Sequence, residues 1–170
     1  MDKTTPDITV PIAEGIFNLR VGAIILQDDK VLMVKNDRDP YYYSVGGRVK
    51  LHETLEAAVV REVLEETGAT LAIDRLVWIH ENFFTSTFGA TCGKRYHEIS
   101  FFYLMKPTAE LRVTSGSYTN DGAKERLVWL SMDDLAQYEL YPEVFKTGLR
   151  NLPQVPTPIV TIREPSALVK

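Results

Sequence analysis

The sequence has few of the residues that build disulfide frameworks, zinc sites or membrane spans. It contains one cysteine, Cys92, which excludes an intrachain disulfide and a cysteine-rich zinc site. Its three histidines have no spacing typical of metal ligands: His52, His80 and His97. No apolar run approaches the ~18 residues of a membrane span, and the opening MDKTTPDITVPIAEG does not resemble a signal peptide. These absences predict a cytoplasmic protein that does not enter a membrane.

The charge balance is mildly acidic. A net charge of −4 and a pI near 5.4 disfavour sequence-independent binding to duplex nucleic acid, which needs a basic surface. An anionic small molecule remains compatible with this charge, because a bound divalent cation reverses the local field. With 170 residues and 45% hydrophobic content, the chain is long enough for one domain with a sizeable core.

Periodicity predicts several strands around one strong helix. IFNLRVGAIILQ and KVLMVKN, joined by two aspartates, are typical of a hairpin, and LVWIHENFF, YHEISFFYLM and LVWLS are strand-like. Thr54 can cap a helix that runs to about Thr67, with Gly68 after it. MDDLAQY after Ser131 resembles a capped helix, and PEVFKTGL predicts another helical segment. The pattern indicates a layered α/β domain, preceded by a lead-in at 1–15 and followed by a Pro-rich extension at 151–170 that we expect to pack on it.

Carboxylates crowd into the stretch GRVKLHETLEAAVVREVLEETG, from Gly47 to Gly68. On a helix, Glu62, Glu65 and Glu66 lie within one turn, where like charges repel each other. Clustered carboxylates without an intervening lysine favour a hard cation such as Mg²⁺ or Mn²⁺. The opposite side of the helix is predicted to face the core through the stripe Ala57, Val60 and Leu64.

The same stretch resembles the Nudix box. The defined positions of that motif are matched here by Gly47, Glu53, Arg61, Glu62, Val63, Glu65, Glu66 and Gly68. The chain is therefore identified as a member of the Nudix hydrolase (MutT-like) family, with no subgroup assigned. The order of hairpin, box helix, strands and late helix is similar to a Nudix domain over residues 16–150.

The resemblance implies a three-layer α/β/α sandwich around a mixed sheet. It also implies a pyrophosphohydrolase that cleaves a nucleoside diphosphate linked to another moiety and that requires Mg²⁺ or Mn²⁺. The implied metal ligands are Glu62, Glu65 and Glu66, with the backbone carbonyl of Gly46 as a frequent addition. Arg61 and Glu53 are implied as a pair that orients helix and loop, and homodimers occur among relatives.

The general base and the substrate contacts are left open by the sequence. Glu98, among alternating apolar residues, and Glu125, in a loop-like stretch, are both candidates for the base, as is a glutamate of the box itself. Arg48 is a candidate phosphate contact, and Tyr43 and Phe84 are candidates to stack on a nucleobase. The segment TSTFGATCGKR, which follows Phe84 and contains Phe88, has the small residues of a mobile loop.

Two other functions compete with hydrolysis. One is a nucleotide-binding or sensor protein that keeps the fold without efficient catalysis. The other is an acidic helix with no site, because glutamate is a good helix former and exposed helices are often acidic. Tight nucleotide binding without product would favour the sensor, and failure to bind Mn²⁺ would favour the acidic helix.

Overall fold

The computed structural model describes residues 5–87, 91–106, 111, 122 and 124–163. The strands are β1 (Thr9–Ile12), β2 (Gly15–Ile24), β3 (Leu26–Gln27), β4 (Lys30–Asn36), β5 (Tyr42–Ser44), β6 (Gly46–Arg48), β7 (Ile73–Thr85), β8 (Arg95–Met105), β9 (Glu125–Ser131), β10 (Leu140–Tyr141) and β11 (Thr157–Arg163). The helices are α1 (Leu55–Thr67) and the short α2 (Phe145–Gly148), with 3₁₀ turns at Leu135–Gln137 and Leu149–Asn151. Among these residues, no helix has the length and apolar content to cross a membrane.

The larger sheet has the strand order β1-β2-β8-β7-β11, and β6 pairs with β2 beside β1. β2 and β8 run parallel, β7 and β8 are antiparallel, and β11 runs parallel to β7. The sheet is therefore mixed. Because β6 pairs with β2, it brings a pair of glycines against the large sheet, next to Glu62 and Glu66 in the second half of α1.

The smaller sheet is built on β4, which pairs with β3 and β5 on one edge and with β9 on the other. The predicted hairpin is confirmed only at its tip, where β3 and β4 meet across Asp28 and Asp29. Both aspartates have positive φ, 48° and 58°, as a tight turn between strands requires. The longer arm, β2, pairs instead with β8, because the chain passes from one sheet to the other at Ile25.

Successive residues of the central strands face two separate cores, and this creates the three layers. In β4, Leu32 and Val34 pack in the core under α1, whereas Val31 and Met33 pack in the core that contains Phe145 of α2. All four β4 residues are at most 1% exposed. A strand buried on both faces is a continuous apolar run, as VLMV is here. The α/β sandwich predicted from the Nudix resemblance is confirmed, with its strands divided between two sheets.

Helix α1 has the predicted ends. The Thr54 side chain accepts a hydrogen bond from the Ala57 amide at 3.2 Å, and Gly68 closes the helix in the left-handed region, at φ 72°.

The predicted core-facing stripe of α1 is wrong. Ala57 and Leu64 are exposed and Val60 is only half-buried, whereas Ala58, Val59, Val63 and Glu66 are buried. The reason is that α1 lies directly over the glycines of β6, so the side carrying Glu62 and Glu66 also faces the sheet.

The later helical predictions are partly corrected. MDDLAQY forms a single 3₁₀ turn with Asp134 before it, rather than a helix capped by Ser131. The Ser131 hydroxyl accepts only a local bond, from the Asp133 amide at 3.3 Å. PEVFKTGL does contain a helical turn, α2. The Pro-rich end contributes β11, the outermost strand beside β7.

Candidate functional site

Two glycines allow the carboxylate helix to approach the sheet. A Cβ on Gly47 would lie 2.6 Å from both carboxylate oxygens of Glu62, so this side chain fills the space that another residue would need. Gly46 has a φ of 141°, and a Cβ there would lie 2.3 Å from the carbonyl oxygen of Val21. Glycine is required at position 46 by its backbone conformation and the close carbonyl, whereas a side chain at position 47 would displace the Glu62 carboxylate.

Arg61 is the hub of the carboxylate cluster. Its Nε and Nη2 donate to the two oxygens of Glu53 at 2.7 and 2.9 Å, a bidentate pair. Its Nη1 donates to Glu62 at 2.6 Å and to Glu65 at 3.2 Å, and Nη2 also reaches the carbonyl of Arg48 at 3.0 Å. The hydrogen bonds to Glu53 are the main cause of a raised pKa of Arg61, and they lower the pKa of Glu53. The guanidinium therefore ties helix, loop and β6 together.

Glu66 is the most deeply buried of the box glutamates, at 9% exposure. Its Oε2 accepts a hydrogen bond from the Gly46 amide at 3.2 Å. Burial raises the pKa of Glu66 well above its ordinary value, and the neighbouring carboxylates of Glu62 and Glu125 raise it further. Burial likewise raises the pKa of Glu62, although Arg61 opposes that shift. A positive charge is needed here if these groups are to ionise together.

Glu125 does not lie in an exposed loop, as its sequence context suggested. It is the first residue of β9, is 9% exposed, and pairs in register with Asn36 of β4. The Tyr43 hydroxyl donates to Glu125 at 2.5 Å. Burial and this contact with Glu125 raise the pKa of Tyr43. The strand began earlier than its apolar residues indicated, because pairing with the full length of β4 extends it.

Glu98 lies on β8, opposite Asn18 of β2 and Asn82 of β7. It accepts a hydrogen bond from Asn18 Nδ2 at 2.8 Å, and its carboxylate lies 4.0 Å from Arg20 Nη1. Burial raises the pKa values of the Glu62 and Glu66 carboxyls, and the charge of Arg20 opposes a small part of that shift. Arg20 therefore links Glu98 electrostatically to the box helix.

The predicted substrate contacts are dispersed around this site. Arg48 Nη1 lies 3.7 Å from Asp7 Oδ2. The Phe84 ring is stacked on Tyr96 with 5.0 Å between centroids and 7° between planes. Phe88 falls outside the described residues. The roles of Arg48, Tyr43 and Phe84 in substrate binding remain predictions.

The donor set suits a hard cation, although the side chains do not converge on one point. Within the described ranges, no three His, Cys, Asp or Glu side chains are grouped so that they could hold a metal ion. Two of the three predicted ligands, Glu62 and Glu65, are hydrogen-bonded to Arg61. The oxygen-rich set and the close contact between Glu62 and Gly47 nevertheless fit Mg²⁺ or Mn²⁺, which prefer carboxylate and carbonyl oxygens.

Several polar side chains on this side of the large sheet escaped sequence reasoning. Three polar residues are buried on the sheet face that carries Glu98: Asn18, His80 and Asn82. The signal was available, because polar residues at alternate positions of apolar strands share one face of the sheet. Arg163, described below, gave no such signal, since it follows a Pro-rich stretch.

Comparison with known proteins gives partial matches along the chain. A "MutT-like protein" from Streptomyces ambofaciens is 26% identical over 116 residues, which cover 68% of this chain and 64% of that protein. An "ADP-ribose pyrophosphatase" from Methanocaldococcus jannaschii is 37% identical over 65 residues, 36% of this chain and 38% of that protein. The matched segments therefore span less than two thirds of the length of these relatives.

Solved structures and a family model agree with the fold. The crystal structure of a MutT Nudix hydrolase from Burkholderia pseudomallei is 27% identical, has a TM-score of 0.51, and matches over 74% of this chain and 91% of that one. A MutT protein from Methanosarcina mazei has a TM-score of 0.54 at 20% identity, over 80% and 91% of the two chains, and supports the fold alone. The NUDIX domain model matches residues 17–149. Since that model covers most of the sequence, including the glycine pair, the box helix and Glu125, the chain belongs to the Nudix family.

Proposed function

We propose that this protein hydrolyses the diphosphate bond of a nucleoside diphosphate linked to another moiety, and that it requires Mg²⁺ or Mn²⁺. The observation that carries the proposal is the burial of the Glu66 carboxyl, with the carboxylates of Glu62 and Glu125 near enough to act on it. Their mutual repulsion helps to raise the pKa of Glu66 in a buried position. Such a group is costly without a cation, whereas a bound cation stabilises it and in turn can neutralise a diphosphate.

The residues proposed to hold the cation are Glu62, Glu65, Glu66 and the carbonyl of Gly46. When bound, the ion supplies charge neutralisation for the diphosphate and activation of a water molecule. Arg61 holds Glu62 and Glu65 on the helix surface, and its bidentate pair with Glu53 fixes the loop beside them. The chain thus orients the ligands before substrate arrives.

Of the two downstream candidates, we propose Glu125 as the general base. Its charge contributes to the raised pKa of Glu66, which indicates that it lies beside the box helix. Glu98 lies on the large sheet, where it contacts Asn18 at 2.8 Å and is 4.0 Å from Arg20 Nη1.

The choice of base can be tested with two matched variants. Glu125→Gln should lower kcat by about 10²-fold or more, in the range of general acid–base contributions, while Glu98→Gln should lower it less. Steady-state kinetics at saturating Mg²⁺ would measure both. A larger loss with Glu98→Gln would reverse the assignment.

The function itself can be tested with a panel of nucleoside diphosphate derivatives, including ADP-ribose. We expect one class of compound to be split at its diphosphate in the presence of Mg²⁺ or Mn²⁺, and EDTA to abolish turnover. Chromatography of the products would identify the bond cleaved. Hydrolysis that persists in EDTA would contradict the proposal.

Nucleotide binding without catalysis is the second candidate, favoured by the hydrogen bonds that Glu62 and Glu65 make to Arg61. Calorimetry that shows tight binding, with no product after long incubation, would support it. A cytoplasmic location and a homodimer remain predictions, which cell fractionation and light scattering on the purified protein would test.

A further inference from the structure

Arg163 is the last residue of β11 and lies beside the row of polar groups that crosses the large sheet. It pairs in register with Phe84 of β7, and Thr161, two residues earlier, pairs with Asn82. Asn82 in turn lies opposite Glu98 on β8. Arg163 therefore shares the sheet face that carries Glu98.

The Arg163 guanidinium is held mainly by aromatic rings. It lies 4.1 Å from the centroid of the Tyr141 ring and 5.2 Å from that of Phe84. Nη2 donates to Asn82 Oδ1 at 3.3 Å. The Nε atom is buried and has no hydrogen-bond acceptor in the part of the chain that the structure describes. The side chain is thus oriented by packing, while its donors are incompletely used.

Within the described part of the chain, Arg163 also has no direct counter-ion. None of the described Asp or Glu side chains lies within 4.0 Å of it, whereas Arg20, Arg48 and Arg61 each have a carboxylate at that distance or less. Burying an arginine part-way without an acidic partner has an electrostatic cost, which an anion bound from solution would offset.

Two series of contacts connect Arg163 to the proposed reaction site. Across the sheet, β11 is two strands from β8, so Arg163 and Glu98 are on strands about 10 Å apart. Along a row of tyrosines, the ring centroids of Tyr141 and Tyr41 are 5.2 Å apart, and those of Tyr41 and Tyr43 are 6.3 Å apart. Tyr43 donates to Glu125. Arg163 therefore stands at the end of a row of aromatic side chains that begins at Glu125.

We propose that Arg163 binds an anionic group, a phosphate or a carboxylate, on the part of the substrate that lies away from the hydrolysed diphosphate. This inference rests on the proposed function and narrows its substrate class. Arg163 follows the segment matched by the family model, residues 17–149, so it is a feature of this chain beyond the matched domain. The planar guanidinium is a donor group whose geometry matches the paired oxygens of either anion.

An anion suits this position better than a stacked nucleobase. The Phe84 ring is already packed against Tyr96 and against Arg163, and Tyr141 packs against Arg163 and Tyr41. These aromatic faces are therefore used within the protein. A ligand here would therefore interact with the guanidinium and not with a ring face.

The test compares compounds that differ only in this anion. ADP-ribose is paired with its form phosphorylated on the terminal ribose, and UDP-glucose is paired with UDP-glucuronate, which carries a carboxylate. We expect wild-type protein to prefer the anionic member of at least one pair by about tenfold in kcat/KM, mainly through KM. Arg163→Gln should remove the preference, and Arg163→Lys should retain part of it. The pair that shows the effect distinguishes phosphate from carboxylate.

Arg95→Gln is the matched control. Arg95 is partly exposed, pairs with Glu14 and lies on the opposite face of β8 from Glu98, so its replacement should leave the preference unchanged. Calorimetric binding of the same four compounds with Ca²⁺ in place of Mg²⁺ gives a readout that does not need turnover. Equal affinities within both pairs for the wild type, or an unchanged preference in Arg163→Gln, would overturn this inference. Discrimination in binding without any hydrolysis would instead overturn the proposed function alone.

Discussion

Replacing Glu66 with glutamine should reduce kcat/KM for diphosphate hydrolysis by on the order of 10²–10³-fold while leaving the protein folded. Glu66 is a buried, proposed cation ligand whose neighbours Glu62 and Glu125 are also acidic. Glutamine keeps the size of the side chain and the acceptor for the Gly46 amide, but it removes the negative charge that the cation needs. Kinetics across a range of Mg²⁺ concentrations would measure the loss, and circular dichroism would confirm the fold.

The same substitution should change how stability depends on pH. A carboxyl whose pKa is raised on folding binds its proton more tightly in the folded state, so its contribution to stability is present below the unfolded pKa and is lost as the pH rises through the folded pKa. The pKa of Glu66 is raised above the ordinary 4.5. In EDTA, the free energy of unfolding of the wild type should therefore fall relative to that of Glu66→Gln as the pH rises above 4.5.

Glu56→Gln provides the control for both measurements. Glu56 lies in the first turn of the same helix and is exposed, so its replacement should leave turnover and the pH profile close to those of the wild type. Full activity of Glu66→Gln, or equal losses in the two variants, would contradict the role proposed for Glu66.

Replacing Arg61 with alanine should lower the free energy of unfolding by about 3–5 kcal/mol, the usual cost of removing one partner from a buried ion pair. The Arg61 side chain is only 5% exposed, and Glu53 and Glu62, which it contacts, are 12% and 13% exposed. Without the guanidinium, these carboxylates would remain close together and poorly hydrated. Urea denaturation followed by circular dichroism would measure the loss.

Arg75→Ala is a suitable comparison, because Arg75 also pairs with a carboxylate, that of Asp74, but is more exposed. An exposed pair contributes about 1 kcal/mol or less, so this variant should unfold near the wild-type denaturant concentration. Arg61→Ala within 1 kcal/mol of the wild type would show that the hub is dispensable for folding.

The sequence predicted those features that depend on local rules. Thr54 and Gly68 mark the ends of α1 because a side-chain cap and a left-handed residue are local requirements of a helix. The grouping of carboxylates on one turn follows from helical spacing in the same way. The Nudix resemblance supplied the three layers, which periodicity alone did not.

The features that were mispredicted depend on contacts between distant segments. The sequence predicted the wrong buried side for α1. The glycines of β6 let Glu62 lie against the sheet, where an apolar residue would otherwise be expected. Glu125 was assigned to a loop because its pairing with Asn36 involves a strand far away in sequence. Arg163 was not singled out, since the neighbours Tyr141 and Phe84 are brought to it only by the complete sheet.

Burial of β4 on both faces has a consequence for how its alignment is specified. Because Val31 to Val34 are all apolar and both cores accept them, hydrophobicity alone discriminates weakly between this register and one shifted by a single residue. The alignment must come from the two ends of the strand, the Asp28–Asp29 turn at one and the pairing of Asn36 with Glu125 at the other. Glu125, proposed above as the general base, thus also helps to set the register of the smaller sheet.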